Sequence, residues 1–324
     1  MISRRFRYDG KPCISLNNIQ KVYKDAIEKK IREGFYSFES KECPVCLSMS
    51  FKIISEKDRY GLPMSVSICE KCGLVQTNPR MTEESYRQFY GKEQKPLYTA
   101  KEIPSNEYFC RQVDRGRKIK LKIESFLGRK ITGENVLEVG CSSGGILQSF
   151  KLADNRVFGC DINSEYAEYG KNKYGLDLRV GTINDINLPG SPDLIIYSHT
   201  LEHILNPIEE LNKIRKLSSH RTLLYIELPG IKNLWRSYGR DLLEYLQAAH
   251  VYHFSLTSIK NMLKKTGWVI ETGDETLMVI ASAGYTDSHY VKDRFIYAYL
   301  KRMEYLRLIP TPYRIGYILR KCKK

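Results

Sequence analysis

The stretch NVLEVGCSSGG, Asn135 to Gly145, reads as an apolar strand that stops at a glycine turn and opens a helix. A turn of that kind aims backbone N–H groups at whatever binds in front of it. Its spacing is Glu138-x-Gly140-x-x-x-Gly144, and a second acid, Asp161, closes the next strand, RVFGCDIN. The dinucleotide-binding turn G-x-G-x-x-G also sits between a strand and a helix. Here the central glycine of that pattern is Ser142, whose side chain would crowd a pyrophosphate, while Glu138 suits a ligand with a free amino group and no phosphate. A nicotinamide dinucleotide and a purely structural turn are the alternatives.

Strand and helix alternate regularly outward from this turn. Strands are expected at Asn135 to Val139, Arg156 to Cys160, Asp177 to Val180, Leu194 to Ser198, Thr222 to Glu227, Trp268 to Thr272 and Thr276 to Ala281. Gly273 and Asp274 make the last two a hairpin. SPDLIIYSHTLEHILNP is a second landmark, a buried strand that delivers polar residues, including His199 and His203, at its carboxyl end.

These residues together resemble the class I S-adenosylmethionine-dependent methyltransferases. The resemblance implies an α/β, Rossmann-like sheet of seven strands whose last hairpin is antiparallel. It also implies that Gly140, Ser142 and Gly144 approach the methionine part of the cofactor and that Glu138 reaches its amino group. Asp161 would accept from both ribose hydroxyls, since a carboxylate offers two acceptors to two donors. Ile162 would cover an adenine face, Asn184 and Asp185 would meet the adenine edge, and His203 would help hold the methionine end or the helix start. Asp185 also suits a turn former.

Four of the nine cysteines form two C-x-x-C pairs, Cys43/Cys46 and Cys69/Cys72, 22 residues apart. Two such knuckles complete a tetrahedral zinc site, and with four sulfur ligands the metal would be structural. The other five cysteines are scattered and odd in number, so a disulfide framework is not expected. A ribbon followed by CGLVQTNPRMTEESYRQFY and then the core is similar to bacterial sugar C-methyltransferases and their relatives in surface-polysaccharide pathways. The resemblance covers roughly residues 43 to 282 and is not expected to extend to their large additional C-terminal domain. Within AAHVYHFS, His250 matches their proposed base, but the acid before it is replaced by Ala249. An alcohol or carbon acceptor needs a general base, and His250 and His199 are the candidates. Gly230 to Phe254 is the expected substrate wall, and His253 is expected in a core or capping role.

Net charge is +15, which invites an anionic partner: nucleic acid, a nucleotide-activated substrate or an acidic membrane surface. The excess gathers in Arg111 to Lys130 and Lys301 to Lys324, each with eight Lys and Arg. There is no apolar run of membrane-spanning length and no secretory signal, so a cytoplasmic protein is expected. Residues 1–40 read as a basic lead-in with a helix from Asn18, and 41–95 as the ribbon and a helix capped by Thr82. A linker follows through Lys92 to Asn106, then the catalytic domain at 105–285 and a basic tail at 286–324. In the tail a helix over Tyr290 to Ile309 would carry Phe295, Tyr299, Met303 and Leu306 on one stripe, and the segment could dock on an anionic inner leaflet.

The expected function is methylation, O- ahead of C-, of a sugar, nucleotide-sugar or lipid-linked glycan intermediate. An RNA methyltransferase and a cofactor-binding protein without catalysis are the alternatives.

Overall fold

The computed structural model describes residues 1–99, 104–285, 289–310 and Tyr317. The first helix, α1 (Asn18–Arg32), starts from a capping box in which Asn17 and Gln20 exchange side-chain to backbone hydrogen bonds. Five strands follow: β1 (Phe38–Glu39), β2 (Phe51–Lys57), β3 (Pro63–Cys69), β4 (Val75–Thr77) and β5 (Arg80–Met81). Next come α2 (Glu83–Phe89), capped by Thr82, a π-helical turn (Tyr90–Gln94), α3 (Lys95–Thr99) and α4 (Asn106–Leu127). The alternating part runs β6 (Asn135–Val139), α5 (Gly145–Lys151), β7 (Arg156–Asp161), α6 (Ser164–Tyr174), β8 (Asp177–Val180), β9 (Leu194–Ser198), α7 (Pro207–Leu217) and β10 (Leu223–Glu227). It ends with α8 (Leu242–Tyr245), β11 (Tyr252–His253), α9 (Leu256–Lys265), β12 (Trp268–Gly273), β13 (Met278–Ala283) and α10 (Ile296–Leu306).

Seven strands form one sheet in the order β12-β13-β10-β9-β6-β7-β8. The pairs among β6 to β10 are parallel, and β13 runs antiparallel between β10 and β12, as the sequence led us to expect. Leu194 to Tyr197 of β9 are all buried, the continuous apolar run of a strand covered on both faces. Chain order reverses between β6 and β9, so the crevice at their carboxyl ends is where a ligand can enter. Helix α4 closes the back of this crevice. A Cβ on Gly145, at the start of α5, would stand 2.8 Å from the Phe109 carbonyl oxygen of α4, so the two helices cross closely only because that residue is glycine.

The cysteine segment does not stand apart. Strands β2, β3 and β4 make an antiparallel sheet that β11, from the wall after β10, extends by pairing with β4. Cys43, Tyr60, Leu62, Cys69 and Leu74 lie in the same apolar cluster as Leu137, Ile195 and Leu224 of the large sheet. Asp58, fully buried at the β2–β3 turn, fastens the two parts further. Its Oδ1 accepts from the Tyr60 and Leu62 amides (2.8 and 2.9 Å) and its Oδ2 from the Ala248 amide (2.9 Å).

Three stretches differ from the sequence-based expectation. The basic lead-in is packed: Ile2 and Phe6 are buried in a cluster with Ile54, Leu242 and Leu300, and Ile27 and Tyr36 enter the main core. A few apolar residues in a polar stretch suffice when a sheet face is there to receive them. The expected linker is helical through Thr99: α2, the π-helical turn and α3 run on without a break, and Pro96 falls directly after the π-helical turn, where the regular α-helical hydrogen-bond ladder is already interrupted. In α10 the buried stripe is Ile296, Leu300 and Met303, and Phe295 is exposed. That helix has apolar residues on more than one face, and only packing against Ile231 and Leu234 selects one. Most of the tail beyond it, 311–316 and 318–324, lies outside the described residues, and among those described no helix is long and apolar enough to cross a membrane.

Replacing Asp58 by Ala leaves three buried amides without acceptors, each such loss being worth about 1–3 kcal/mol. D58A is therefore expected to lower unfolding free energy by about 3 kcal/mol or more, read by chemical denaturation. A loss below about 1 kcal/mol would mean that the turn does not tie the ribbon sheet to the catalytic wall.

Candidate active site

A cavity of about 690 Å³ opens at the carboxyl ends of β6, β7 and β9 and is roofed by the Tyr90–Thr99 segment and by residues after β10. At its base the glycine turn is pinned to β7, since the Gly140 and Cys141 amides both donate to the Cys160 carbonyl (2.8 and 3.0 Å). Gly140 has φ +73°, and a Cβ there would collide with Thr200 Oγ1 at 2.3 Å, so this position admits only glycine. Asp161 shapes the turn from the other side. Its Oδ2 accepts from the Ser142 amide (2.7 Å) and its Oδ1 from the Asn163 amide (2.8 Å), leaving further lone pairs toward the cavity. Gly144, with φ +73°, sits behind the turn against Leu176 and Leu178 and starts α5. It serves the backbone's shape, not the cavity wall.

Glu138 is 2% exposed, and its Oε2 has no hydrogen-bond partner. Burial pushes its pKa well up against the opposing pull of Arg115. Arg115 is itself held by Glu227 at 2.9 Å. Lys95 projects from the start of α3 to stand 3.4 Å from both Ser142 Oγ and Tyr108 Oη, with its ammonium 4.4 Å from the centre of the Tyr166 ring. Burial alone would lower its pKa, but Tyr108, Asp161 and Tyr166 outweigh it and the pKa is raised. The same end of the cavity therefore offers an orphaned carboxyl and a cation without a paired carboxylate, a match for the two charged groups of an amino acid.

A second lobe, about 530 Å³, shares Tyr90, Gly140, Asp161 and Thr200 with the first and adds Ile162 and Asn184. Ile162 is 43% exposed at its rim, available to cover a flat ring. Asp185 does not line either lobe. Its Oδ2 accepts from the Thr182 amide (2.8 Å) and hydroxyl (3.1 Å) and closes the turn, so its carboxylate is used in capping and the adenine-edge expectation passes to Asn184 alone.

The histidines gather at the far end. His199 follows β9 with φ +55° and sends Nδ1 to within 3.5 Å of Glu202 Oε1, its ring partly exposed to the cavity. Glu202 is 1% exposed, and neither oxygen has a hydrogen bond of ordinary geometry. Burial opposes its ionisation, but His199 and His203 outweigh burial and hold the carboxyl below the usual range. His203 Nδ1 is fixed 2.9 Å from the Ala249 carbonyl oxygen. His250 is 2% exposed and lines the cavity, with Nε2 held by the Gln247 amide nitrogen and Nδ1 unpartnered. Burial, then the neighbouring imidazoles of His203 and His253, drive its pKa well below the ordinary value. His253 is core, its ring tilted against that of Tyr245 with centroids 5.4 Å apart.

His250 is a weak proton acceptor where it stands, because burial and then the neighbouring imidazoles resist its charging. An acid is absent before His250, whereas Glu202, just after the strand end, stands beside His199. Sequence reading had missed Glu202, Lys95, Tyr90, Arg115 and Gln247. Glu202 lay in plain view between the two histidines of HTLEH, whereas Lys95 was hidden by a proline taken for a breaker.

The four cysteine Sγ atoms converge at the edge of the ribbon sheet, all within 4.8 Å of one another, with Cys43 to Cys72 and Cys46 to Cys69 at 3.4 Å. Zinc–sulfur bonds of about 2.3 Å in a tetrahedron separate the sulfurs by about 3.8 Å, so the donor set fits that ion.

A methyltransferase-domain family model matches residues 111–272, half of the chain, and the chain belongs to that family. With its sheet order it is a class I S-adenosylmethionine-dependent methyltransferase. Similar solved structures include the magnesium protoporphyrin IX methyltransferase of Synechocystis with bound S-adenosylhomocysteine, at 14% identity and TM-score 0.43, covering 61% of this chain and 97% of that one. An S-adenosylmethionine-dependent methyltransferase of Clostridium acetobutylicum is 11% identical, with TM-score 0.42 and coverage of 53% and 92%. One of Aquifex aeolicus is 18% identical, with TM-score 0.40 and coverage of 56% and 98%. No curated protein matches the chain significantly in sequence.

An ammonium bound beside Glu138 favours the carboxylate over the acid, and this carboxyl starts with its pKa raised. Cofactor binding therefore draws a proton from it, and affinity is expected to tighten as pH rises from acid toward neutral. E138Q is expected to flatten that dependence and weaken binding at neutral pH by about 10- to 100-fold. Calorimetric titration across pH checks both, and a wild-type affinity indifferent to pH would remove Glu138 from the ammonium.

Proposed function

We propose that this methyltransferase transfers the methyl group to a hydroxyl of a sugar, nucleotide-sugar or lipid-linked glycan intermediate of bacterial surface-polysaccharide assembly. The observation that carries this reading is the His199–Glu202 pair at the acceptor end of the cavity. A ring nitrogen or carboxylate acceptor needs no base, whereas an alcohol must lose a proton as it attacks. Tyr238, Gln247 and Arg111 line the same cavity and suit a polyol.

Glu138 would take the ammonium of the cofactor and Lys95 its carboxylate, Asp161 the ribose hydroxyls, and Ile162 and Asn184 the adenine in the second lobe. S-adenosylmethionine supplies a methyl group on a sulfonium. His199 Nε2 takes the acceptor's proton while Glu202 holds Nδ1–H and faces the charge that develops on the ring. The freed oxygen pair forms the new O–CH₃ bond, and the S–C bond pair leaves with sulfur. Positioning and exclusion of water supply much of the rate in such a displacement. Hydroxyl acceptors stand ahead of carbon acceptors because the residue before His250 is Ala249, not an acid.

This reading sets the protein at the cytoplasmic face of the membrane, with the basic tail as its contact. It also takes the four cysteines as a structural zinc site, since no ligand position is left for chemistry.

Purified protein incubated with methyl-labelled S-adenosylmethionine and fractionated bacterial extract should label a saccharide or lipid-linked glycan pool. H199A should lower that labelling by about 100-fold or more with cofactor binding intact. Label in RNA would replace this reading with the nucleic-acid one.

Elemental analysis is expected to give one tightly held zinc per chain at the cysteines, and C43S to lower the thermal midpoint by about 5 °C or more. A chain free of zinc with an unchanged midpoint would refute the structural role.

A further inference from the structure

Glu202, His203 and His250 come from two separate segments, yet each places one donor atom within 4.8 Å of the others, at the wall of the catalytic cavity. Two further observations point to a ligand between them. The Glu202 carboxylate is 1% exposed, and neither oxygen has a hydrogen bond of ordinary geometry, Oε1 standing 3.5 Å from His199 Nδ1; His250 Nδ1 is buried and has no hydrogen-bond partner among the described residues. Buried polar atoms are nearly always satisfied, and these belong to residues that bring donor atoms within 4.8 Å of one another. His203 is prepared in the manner of a metal ligand: its Nδ1–H is committed to the Ala249 carbonyl (2.9 Å), which fixes the tautomer and leaves the Nε2 lone pair free, 3.9 Å from Glu202 Oε1.

We propose that this triad binds a divalent first-row transition ion, zinc included, beside the methyl donor, and that the ion takes the acceptor hydroxyl as a further ligand. This rests on the hydroxyl-acceptor reading above. Two imidazoles and one carboxylate suit such ions and not calcium or magnesium, which prefer all-oxygen shells. Three protein ligands leave positions open toward the cavity. The donors stand somewhat wider than bonds of about 2.0–2.2 Å require, so the side chains close on the ion by small rotations. Ligation through His250 Nδ1 moves the ring proton to Nε2. The Gln247 amide then turns its oxygen to that proton and gives up the bond from Arg59 that it now accepts at 3.0 Å.

The chemistry balances without another reactant. The ion lowers the pKa of the coordinated hydroxyl, the proton passes to His199, the oxygen pair bonds the methyl carbon, and the S–C pair stays on sulfur. A carboxylate has lone pairs enough for the ion and for His199 Nδ1–H together.

Full-length protein with its cysteine site filled is titrated with cobalt(II) and followed by visible absorption and equilibrium dialysis, with S-adenosylmethionine binding measured separately. One saturable cobalt per chain is expected, with d–d bands and no thiolate charge-transfer band, and its affinity should fall at least about tenfold in both E202Q and H250Q. Each variant is judged folded by its retained cofactor binding, and either one suffices if the other does not fold. Wild-type protein that binds the cofactor but takes up no such cobalt overturns the proposal, as does cobalt binding that the variants leave unchanged. Failure to bind the cofactor would count against the reading of the cavity, and the cobalt spectrum would still judge the triad.

Discussion

The short ladder between β4 and β11, Gln76 with Tyr252 and Val75 with His253, is the constraint on which the catalytic end depends. It is continued by the Thr77 amide on the Val251 carbonyl (2.8 Å), and the Val251 amide in turn donates to the Glu202 backbone carbonyl (2.9 Å). A strand from the cysteine sheet thus holds the segment that carries His250, and that segment holds the end of β9. Ribbon and catalytic sheet bury one common apolar cluster, so stabilising the cysteine knuckles stabilises the active site.

The cavity divides by charge. Near the glycine turn, the buried Glu138 carboxyl and the Lys95 ammonium, held by Ser142 and Tyr108, line the same cavity. At the acceptor end, three imidazoles surround a single buried carboxylate. Glu138 and Glu202 are both buried, yet their pKa values move in opposite directions: burial dominates for Glu138, and adjacent imidazoles outweigh it for Glu202. One class of side chain therefore takes opposite shifts at the two ends of one cavity, because its neighbours differ.

Much of the fold was legible because its signals are local. The period-two and continuous apolar strands, the turn at Gly140 and the Thr82 cap are fixed by backbone sterics and by residues within a few positions of one another. The cysteine pairs were legible for the same reason, since each knuckle is four residues long. Asp185 was misjudged because a turn-closing aspartate and a ligand-binding one look alike until the carboxylate's partners are seen. The linker and the α10 stripe were misread where proline position and apolar excess admit two answers.

The sequence by itself determined the order of strands and helices, the glycine turn with its two acids, and the fourfold cysteine set. The tertiary structure alone decided which histidine faces the cavity with an acid behind it, that Lys95 reaches the glycine turn, and that Glu202, His203 and His250 meet. The reason is one of range: turns, caps and strand patterns are short-range consequences of covalent geometry and burial. A catalytic constellation joins residues some 50 to 150 positions apart, and only the packing of sheet against sheet sets their distances.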